Sequence, residues 1–223
     1  MARLPRIPEP EVMSGADEAA AYAKADFSGV NAAFAARLLV LAGRRRRAEA
    51  VDLGTGPADI PVRVARGRRG WRITAVDASA AMLRAARTNV RRARVGRAVR
   101  LLRADALRTG LPAASFDVVF SNSLLHHLPR PGGLWREIRR LGKRGAVVFV
   151  RDLRRPLSRA RARRIVETYS GGESPTLKRS FYESLLAAFT PGEVRAQLRK
   201  AGLFRLRITL PSDRHVDVFG RLP

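Results

Sequence analysis

The sequence predicts an α/β fold in which a mostly parallel sheet carries helices on both faces. Short apolar, β-compatible segments alternate with helix-like amphipathic segments between residues 48 and 150. A glycine turn, Gly54-Thr55-Gly56, follows the first of these strands, and the second strand ends at Asp77. Strands that alternate with helices imply right-handed crossovers and parallel neighbours. A glycine turn that leads into a helix lets backbone N–H groups approach a ligand closely.

Length and composition indicate one domain. The 223 residues suffice for one substantial core, and we expect a single domain over residues 1–223. It divides into an N-terminal helical cap (1–45), a ligand-binding half (46–153) and insertion helices with closing strands (154–223). The absence of cysteine excludes disulfides, thiolate zinc sites and cysteine nucleophiles. The first residues lack the apolar core of a signal peptide, and no apolar run approaches a membrane span, so a soluble cytoplasmic protein is expected.

The charge is strongly positive. The chain has 44 basic and 19 acidic residues, a net charge of +25, and all but four of the basic residues are arginine. One interpretation is a nucleic-acid footprint, with patches at 44–47 and 91–94. The other is that arginine simply fills solvated faces. The second is favoured, because the arginines are scattered along the chain and few aromatics are interleaved with them.

The segment before the first strand is predicted to be helical. Between residues 17 and 41, alanines alternate with larger apolar residues at a spacing of three to four, which predicts an amphipathic helix or helix pair broken near Ser28-Gly29. Because this segment precedes the glycine turn, it is expected to fold over the site as a cap. The candidates to face the site are then Tyr22, Asp26, Phe27 and Asn31. For Tyr22 and Phe27, simple packing is the favoured alternative.

Five strands are predicted in the central region and two at the end. The central ones are Ala48–Leu53, Trp71–Val76, Ala98–Arg103, Phe116–Ser121 and Gly145–Val150, with helices after Asp59, after the N-cap Ser79, and over Gly133–Leu141. A charged insertion at 154–175 contains a helix, and a further helix covers 180–189. Thr190-Pro191-Gly192-Glu193 has the residues of a capped helix start. Phe204–Leu210 and His215–Gly220 are predicted to form a closing hairpin.

Acidic side chains follow three consecutive strands. Asp52, Asp77 and Asp105 stand at or just after the carboxyl ends of the first three strands, where open α/β sheets bind ligands. A carboxylate after the second strand suits a ribose diol, because it accepts two hydroxyl hydrogens. The alternative is that Asp52 and Asp105 only cap strand ends, and that Asp59 pairs with a nearby arginine.

Four segments together resemble the class I S-adenosylmethionine-dependent methyltransferases, nearest to the quinone-biosynthesis-like small-molecule branch. They are VDLGTGPAD (51–59), ITAVDASAAML (73–83), RADALRTGLPAASFDVVFSNSLLHHL (103–128) and TPGEVRAQLRKAGL (190–203). The resemblance covers about residues 48–219. It implies a Rossmann-like sheet of seven strands with the last strand antiparallel, and S-adenosyl-L-methionine as cofactor, with S-adenosyl-L-homocysteine as product.

The resemblance also implies roles for single residues. Asp52 and the turn Gly54, Thr55 and Gly56 would hold the amino-acid end of the cofactor. Asp77 would take the ribose hydroxyls, Ala78 and Asp105 with Ala106 would bind the adenine, and Ser121 and Asn122 would line the methionine portion. One departure is Ala58, where the family often has a third glycine. A nicotinamide dehydrogenase is the rival within this fold, but its fingerprint requires glycine where this chain has Asp59.

The reaction and its acceptor are less defined. Methyl transfer requires positioning and, for a protic nucleophile, a base. His126 and His127 follow the fourth strand and are the candidates, with a slight preference for His126; Tyr22, Arg151, Tyr169 and Tyr182 are acceptor-site candidates. No metal site is predicted, because the two histidines lack clustered carboxylates.

The predicted function is methyl transfer to a small-molecule acceptor, and the arginine content is compatible with an anionic one. The alternatives are an RNA methyltransferase that uses the arginine-rich surface, and a catalytically silent cofactor-binding module. Against RNA, the sequence shows no separate RNA-binding domain, and SNSL stands where base-methylating relatives carry an Asn-Pro-Pro-Tyr-like tetrapeptide.

Overall fold

One seven-stranded sheet organises the chain. The structure, a computed structural model, describes residues 4–9 and 27–223. The strand order is β3-β2-β1-β4-β5-β7-β6; the first five are parallel, and β7 runs antiparallel to both β5 and β6. The predicted fold class, including the antiparallel last strand, is confirmed. The strands are β1 (Ala48–Leu53), β2 (Trp71–Asp77), β3 (Val99–Arg103), β4 (Phe116–Asn122), β5 (Gly142–Leu153), β6 (Arg207–Thr209) and β7 (His215–Arg221).

Helices cover both faces of the sheet. α1 (Ser28–Ala42), α2 (Asp59–Gly67) and α3 (Ala80–Arg92) share one apolar cluster with one sheet face. α4 (Gly132–Leu141) and α7 (Pro191–Lys200) share a second cluster with the opposite face. α5 (Arg159–Ser170) and α6 (Pro175–Ala187) form a third, smaller cluster beyond the end of β5. A short 3₁₀ helix, Leu125–His127, follows β4.

The alternation of side chains along β4 shows why the sheet is buried on both faces. Val118 and Phe120 belong to the α1–α3 cluster, whereas Val119 between them belongs to the α4–α7 cluster. All three are fully buried. Each such side chain contributes about 1.5–3 kcal/mol of stability when it leaves water. A strand of this kind is an almost continuous apolar run, as the sequence showed.

The described part of the predicted cap lies on the sheet face. Phe34 and Leu38 of α1 are fully buried, and the Phe34 ring stacks on Phe149 of β5 at 4.4 Å between ring centroids. The apolar stripe of α1 therefore packs against the sheet, and the start of this helix alone reaches the ligand-binding edge. Phe27 and Asn31 line the ligand-binding cleft, as predicted. The rest of α1 packs on the sheet face, so the expected cap over the site is limited, within residues 27–42, to the start of this helix. Residues 10–26, with Tyr22 and Asp26, lie outside the described residues.

Residues 4–9 form a strap across the end of the sheet. Ile7 N–H donates to the Leu186 carbonyl of α6 at 3.2 Å. Arg6 donates to the carbonyls of Ala187, His126 and Leu128 at 2.5, 2.8 and 3.0 Å. Its guanidinium also lies 3.9 Å from the centroid of the Phe189 ring. One arginine thus fixes the strap to the segment that follows β4.

The C-terminal elements follow the sequence signals closely. Thr190 and Glu193 form the predicted capping box at the start of α7. β6 and β7 pair as the predicted hairpin, although β6 has only three residues. α6 begins at Pro175 and ends at Ala187, earlier than the predicted 180–189, because Ser174 caps it and proline occupies its first turn. Within residues 4–9 and 27–223, none of the helices combines the length and apolar character needed to cross a bilayer.

Candidate cofactor and active site

A cleft of about 570 Å³ opens at the carboxyl ends of β1, β2 and β4. Its size lies in the range of small-molecule and cofactor sites. The strand ends converge there because parallel strands present all their carboxyl ends at one edge. Nine of the ten predicted cofactor residues line it: Asp52, Gly54, Thr55, Gly56, Asp77, Ala78, Asp105, Ala106 and Asn122.

Ser121 is the predicted cofactor residue that does not line the cleft. Its side chain is fully buried, and its hydroxyl donates to the Leu53 carbonyl at 2.7 Å. Successive residues of a strand point to opposite faces, so Asn122 reaches the cleft and Ser121 bonds the neighbouring strand. Ser121 therefore ties β4 to β1 beneath the site.

Asp52 is the buried carboxyl group of the cleft. One carboxylate oxygen, Oδ2, accepts a hydrogen bond from the Thr55 hydroxyl at 2.7 Å, whereas the buried Oδ1 has no hydrogen-bond partner. Burial raises the pKa of Asp52 to about 7, the Thr55 hydrogen bond opposes this rise, and the charge of Asp77 adds to it. An unpartnered buried acceptor costs stability, and a cationic ligand group would satisfy it.

The glycine turn brings backbone close to a ligand. Gly54 has φ +77, and both Gly54 and Thr55 donate their N–H to the Val76 carbonyl of β2, at 2.9 and 2.8 Å. A Cβ at position 54 would lie 3.0 Å from the Leu124 side chain. Ala58, the departure from the family pattern, has φ +60 and precedes α2 in the left-handed region. A glycine would adopt this conformation without strain, which explains why the family often has one there.

Asp77 organises the loops on both sides of the cleft. Its Oδ2 accepts from Gly56 N–H and its Oδ1 from Ser79 N–H, both at 2.8 Å. Burial raises the pKa of this carboxyl, and the two backbone N–H groups counteract part of that rise. Ser79 in turn caps α3 by accepting from Met82 N–H at 3.3 Å. The ribose role assigned to Asp77 stays a prediction, with the carboxylate lining the cleft as that role requires.

The remaining acids of the cleft differ in exposure. Asp105 is exposed, and its Oδ1 accepts from Leu107 N–H at 2.8 Å, while Ala106 next to it is buried. Asp59 accepts from the Arg63 guanidinium at 2.7 Å, in agreement with the pairing alternative. The adenine role of Asp105 stays a prediction.

The two histidines occupy different environments. A 3₁₀ helix has three residues per turn, so neighbours point in directions about 120° apart. His127 lines the cleft, whereas His126 is buried behind it, with its ring centroid 3.9 Å from that of His127. His126 Nδ1 lies 2.6 Å from Asp152 Oδ1. The slight preference for His126 is therefore not supported by its position.

His127 is held by a residue from the N-terminal strap. Its Nδ1 lies 2.8 Å from Glu9 Oε2. Because an ionised carboxylate only accepts hydrogen bonds, Nδ1 carries the hydrogen, and Nε2 of the neutral ring keeps its lone pair. Burial, followed by the charge of His126, lowers the pKa of His127, and Glu9 counteracts part of this effect.

The pKa of His126 shifts in the opposite direction. Burial alone would lower it, but the charge and hydrogen bond of Asp152 outweigh burial and raise the pKa. Burial also acts to raise the pKa of Glu9, but the hydrogen bond to His127 leads the effects that bring it below its usual value. The two histidines thus form two linked acid–imidazole pairs in which His126 is the more basic ring.

The structure also brings together a set of donor atoms that the sequence pattern did not indicate. Glu9, His126 and His127 each place one donor atom within 4.8 Å of the others. The sequence analysis expected no carboxylate near the two histidines. This is wrong, because Glu9, from the N-terminal strap, lies beside them. Within this cluster the Glu9 carboxylate pairs with His127 Nδ1, and His126 Nδ1 pairs with Asp152.

The described acceptor-site candidates lie away from the cleft. Arg151 forms a bidentate ion pair with Asp217 of β7, in which Nε and Nη2 donate to the two carboxylate oxygens at 2.6 and 2.7 Å. The pair lies on the α1 side of the sheet. Tyr169 is exposed, and the Arg214 guanidinium lies 3.2 Å from its ring centroid. Tyr182 packs against the α5–α6 cluster. These three residues stabilise the fold, and Tyr22 lies outside the described part of the chain.

Two residues at the site were missed by sequence reasoning. Asp152 stands at the carboxyl end of β5, so the strand-end logic that selected Asp52 and Asp77 would also have selected it. The sequence around Glu9 gives no such signal, because Glu9 reaches His127 only when the N-terminal strap folds across the sheet. Phe27, Leu124 and Leu128 supply apolar walls beside these polar groups.

Comparison with known proteins identifies the domain. Residues 51–150 match the family model described as a methyltransferase domain. Residues 51–150 therefore form a methyltransferase domain. The matched residues of this methyltransferase domain run from β1 to β5 and include every predicted cofactor residue. The quinone-biosynthesis-like branch within the class stays a prediction.

The individual relatives are similar over part of the chain. An uncharacterized methyltransferase of Mycobacterium tuberculosis is 41% identical over 91 residues, 38% of this chain and 43% of that protein. A trans-aconitate 2-methyltransferase of Azoarcus sp. is 34% identical over 103 residues, 46% of this chain and 38% of that protein. The chain spans less than half the length of these curated relatives. A solved S-adenosylmethionine-dependent methyltransferase of Aquifex aeolicus has a TM-score of 0.65 at 18% identity, covering 89% of this chain and 94% of that one, and shows the shared fold.

The residues of the methyltransferase domain fit S-adenosylmethionine. The unpartnered Asp52 Oδ1 matches its ammonium group, and the glycine turn beside it offers close backbone contact. Asp77, at the next strand end, lines the same cleft, as its predicted ribose role requires.

Proposed function

We propose that this protein transfers a methyl group from S-adenosylmethionine to a small-molecule acceptor. The observation that carries the proposal is that one cleft contains both the unpartnered carboxylate oxygen of Asp52 and the imidazole of His127. The Asp52 oxygen can bind the ammonium group of the cofactor, and the His127 imidazole can accept a proton from the acceptor. The family match over residues 51–150 supports the same reaction class.

The reaction is an in-line displacement. The cofactor supplies an electrophilic methyl group on a sulfonium sulfur. With the cofactor bound, the acceptor's lone pair would form the new bond to the methyl carbon, and the electrons of the broken carbon–sulfur bond would remain on sulfur. The protein therefore contributes mainly orientation and exclusion of water. The cofactor is held by Asp52, Gly54 and Asp77. The acceptor binds beside the apolar walls of the cleft, which are formed by Phe27, Leu124 and Leu128.

His127 accepts the proton of a protic acceptor. Its lowered pKa keeps the ring neutral near pH 7, and Glu9 fixes the tautomer that leaves Nε2 unprotonated. A general base of this kind contributes roughly 10²–10⁴ in rate. Glu9 acts on the reaction through His127, so it is a positioning residue.

A carboxylate-bearing acceptor is the favoured substrate class. The relative from Azoarcus is described as acting on trans-aconitate, a small polyanion. The net charge of +25 attracts anions to this protein in general. The apolar walls of the cleft accommodate the carbon skeleton of such a molecule.

Calorimetry with S-adenosylhomocysteine tests the cofactor half of the proposal. Asp77→Ala is expected to lose about 1–3 kcal/mol of binding free energy, since it removes a charged hydrogen-bond acceptor and the brace of the glycine turn. Glu173→Ala, at an exposed position, is the matched control and should bind like the unmodified protein. Equal affinity for all three proteins would contradict the assignment of the cleft.

Incubation with labelled methyl donor and fractionated metabolites tests the transfer itself. Label is expected in an acidic small-molecule fraction, and His127→Gln should slow its appearance by about two orders of magnitude without weakening S-adenosylhomocysteine binding. Cofactor binding with no label in any metabolite fraction would identify a silent module instead.

A further inference from the structure

The edge of the sheet opposite the cofactor cleft is strongly basic. The connections that enter β1, β2 and β3, and the start of β5, lie at this amino-terminal edge. We call residues 43–47, 68–72, 93–98 and 142–145 the basic edge; they contain eleven basic residues and no acidic one. Over the whole chain the basic and acidic residues number 44 and 19, so the imbalance here exceeds that of the composition.

Few of these cations have acidic partners among the described residues. Asp117 pairs with Lys143 at 3.0 Å and with Arg45 at 4.0 Å. Glu49 lies 3.8 Å from Arg72. The other eight cations of the basic edge form no ion pair within the described part of the chain. Uncompensated charge of one sign on one face creates a potential that attracts polyanions.

Hydrogen bonds and close backbone packing join the arginine-bearing loops to each other. The Trp71 indole donates to the Arg45 carbonyl, and the Arg68 guanidinium donates to the Gly43 carbonyl, both at 3.1 Å. A Cβ on Gly70 would lie 2.3 Å from the Arg46 carbonyl oxygen, so the two loops approach as closely as backbone allows. An open groove of about 630 Å³ passes along them; it is lined by Arg47, Arg69, Arg72 and Arg97, and by the acidic residues Glu49 and Asp117. Cations on a fixed frame lose less entropy when they bind a partner.

We propose that the basic edge binds double-stranded RNA through its phosphate backbone. Guanidinium groups match phosphate oxygens with paired hydrogen bonds. Trp71, the aromatic residue of this edge, is 1% exposed, so no ring is available to stack on unpaired bases. A duplex, which is recognised by shape and backbone, is the nucleic acid that such a surface suits.

A carboxylate in the groove favours RNA over DNA. Glu49 lines the groove with its side chain 47% exposed. A carboxylate repels phosphates, but it accepts a hydrogen bond from a 2′-hydroxyl, which RNA has and DNA lacks. A lipid surface is less suited, since adsorption to membranes needs an apolar face and Val40, at the end of α1, is the exposed large apolar residue beside this edge among those described.

This site is separate from methyl transfer. The basic edge and the cofactor cleft occupy opposite ends of the parallel strands, so RNA held here is a docking partner and not the methyl acceptor. The proposal therefore does not depend on the proposed function. It assigns a role to a cluster of positive charge that lies away from the cofactor cleft.

Fluorescence anisotropy with a labelled RNA duplex of about 20 base pairs tests the proposal. The edge variant carries Arg46→Gln, Arg47→Gln, Arg69→Gln and Arg97→Gln. The control variant carries Arg161→Gln, Arg163→Gln, Arg164→Gln and Arg199→Gln, four exposed arginines on α5 and α7. Both variants have the same net charge, so only the location of the lost charge differs between them.

The edge variant is expected to bind the RNA duplex at least about tenfold more weakly at physiological salt, with the slope of log K against log salt reduced by about three to four. The control variant should change by less than about threefold. Equal losses in both variants would show binding by net charge alone and overturn the proposal. Tighter binding to a DNA duplex of the same sequence, or to vesicles containing anionic phospholipid, would overturn the choice of RNA.

Binding of S-adenosylhomocysteine provides the check on folding. Both arginine variants should bind it like the unmodified protein, because none of the substituted residues lines the cofactor cleft. If the unmodified protein fails to bind it but binds RNA as described, the proposed function falls and the RNA site stands. The charge-reversal variant Arg47→Glu with Arg97→Glu is expected to lose RNA binding with only two substitutions, and unchanged binding would also overturn the proposal.

Discussion

At the scale of single residues, Asp52 shows how burial decides the charge of one carboxyl group. Its side chain is 2% exposed and has one satisfied oxygen. With a pKa raised to about 7 by burial, the group is protonated in much of the free protein at neutral pH. The cationic end of a ligand would restore the carboxylate, so binding and ionisation are coupled.

The affinity for S-adenosylhomocysteine should depend on this ionisation. Between pH 8 and pH 6 the affinity is expected to fall by up to about tenfold, because Asp52 takes up a proton that the ligand's ammonium must displace. Asp52→Asn should bind weakly at both values and show little pH dependence. Calorimetry at the two pH values measures this, and identical pH profiles for both proteins would contradict the role of Asp52.

The same shift has a consequence for stability. Because the pKa in the folded protein lies above the usual 3.8, the folded state holds this proton more tightly than the unfolded state. The contribution of Asp52 to the free energy of unfolding therefore declines as pH rises from about 4 to about 7. Asp52→Asn should remove that decline in urea denaturation at several pH values.

Glu9 and His127 form the second residue-scale pair. Glu9→Gln removes a negative charge that supports the imidazolium, so the titration midpoint of His127 should move to lower pH. NMR of the imidazole nitrogens reports both the midpoint and the tautomer. Glu173→Gln serves as the control of equal charge change. An unmoved His127 midpoint in Glu9→Gln would show that the strap does not hold the ring.

At the scale of elements, the glycine turn between β1 and α2 is the most constrained connection of the site. Gly54 combines φ +77 with the Leu124 side chain 3.0 Å from where a Cβ would lie. The positive φ and the close Leu124 side chain both leave room only for backbone at this border of the cleft. A methyl group at this position would therefore strain the backbone and displace the Leu124 side chain.

Gly54→Ala is expected to lower the free energy of unfolding by about 1–2 kcal/mol, the cost of a left-handed conformation for an L-residue. It should also weaken S-adenosylhomocysteine binding, since Leu124, which lines the cleft, must shift. Gly192→Ala is a suitable control, because it has an ordinary φ and open space around it. Thermal unfolding with and without the ligand measures both effects, and matching behaviour of the two variants would contradict this account.

The sequence predicts the positions of the strands better than it predicts which surfaces the helices pack against. The strands β1 to β5 and the turn at 54–56 were predictable, since apolar runs and glycines act locally. The face of α1 that meets the sheet was not, because helical periodicity defines an apolar stripe but not its partner. The orientation of His126 and His127 depends on where the 3₁₀ helix starts, and the pairing of Arg6 with the His126 carbonyl joins positions 120 apart in the chain.

At the scale of the whole molecule, buried acid–base contacts link distant parts of the chain and set its response to acid. Glu137 on α4 accepts from the Thr109 N–H and hydroxyl at 2.9 and 2.6 Å, and from Arg140 at 2.7 Å. Burial acts to raise its pKa, but these hydrogen bonds, led by Arg140, lower it to about 2. The contact fastens the connection between β3 and β4 to the α4 side of the sheet.

Glu137→Gln should therefore flatten the acid limb of the stability profile. The folded pKa lies below the usual 4.5, so the stabilisation is present above that value and is lost as pH falls toward about 2. Urea denaturation between pH 7 and pH 2 should show lower stability of the variant at pH 7 and a smaller decline below pH 5. Parallel profiles for the two proteins would contradict this assignment.

The strap has a practical consequence for anyone who shortens this protein. The matched methyltransferase domain starts at residue 51, yet Arg6 and Glu9 complete the surroundings of His127 from far outside that boundary. A chain that begins after residue 9 would keep every described residue that lines the cofactor cleft, but it would lose the support of His127, the cleft-lining imidazole among the described residues. Such a shortened chain should still bind S-adenosylhomocysteine on an affinity resin but transfer methyl groups slowly, so assays of catalysis should use a chain that keeps the strap.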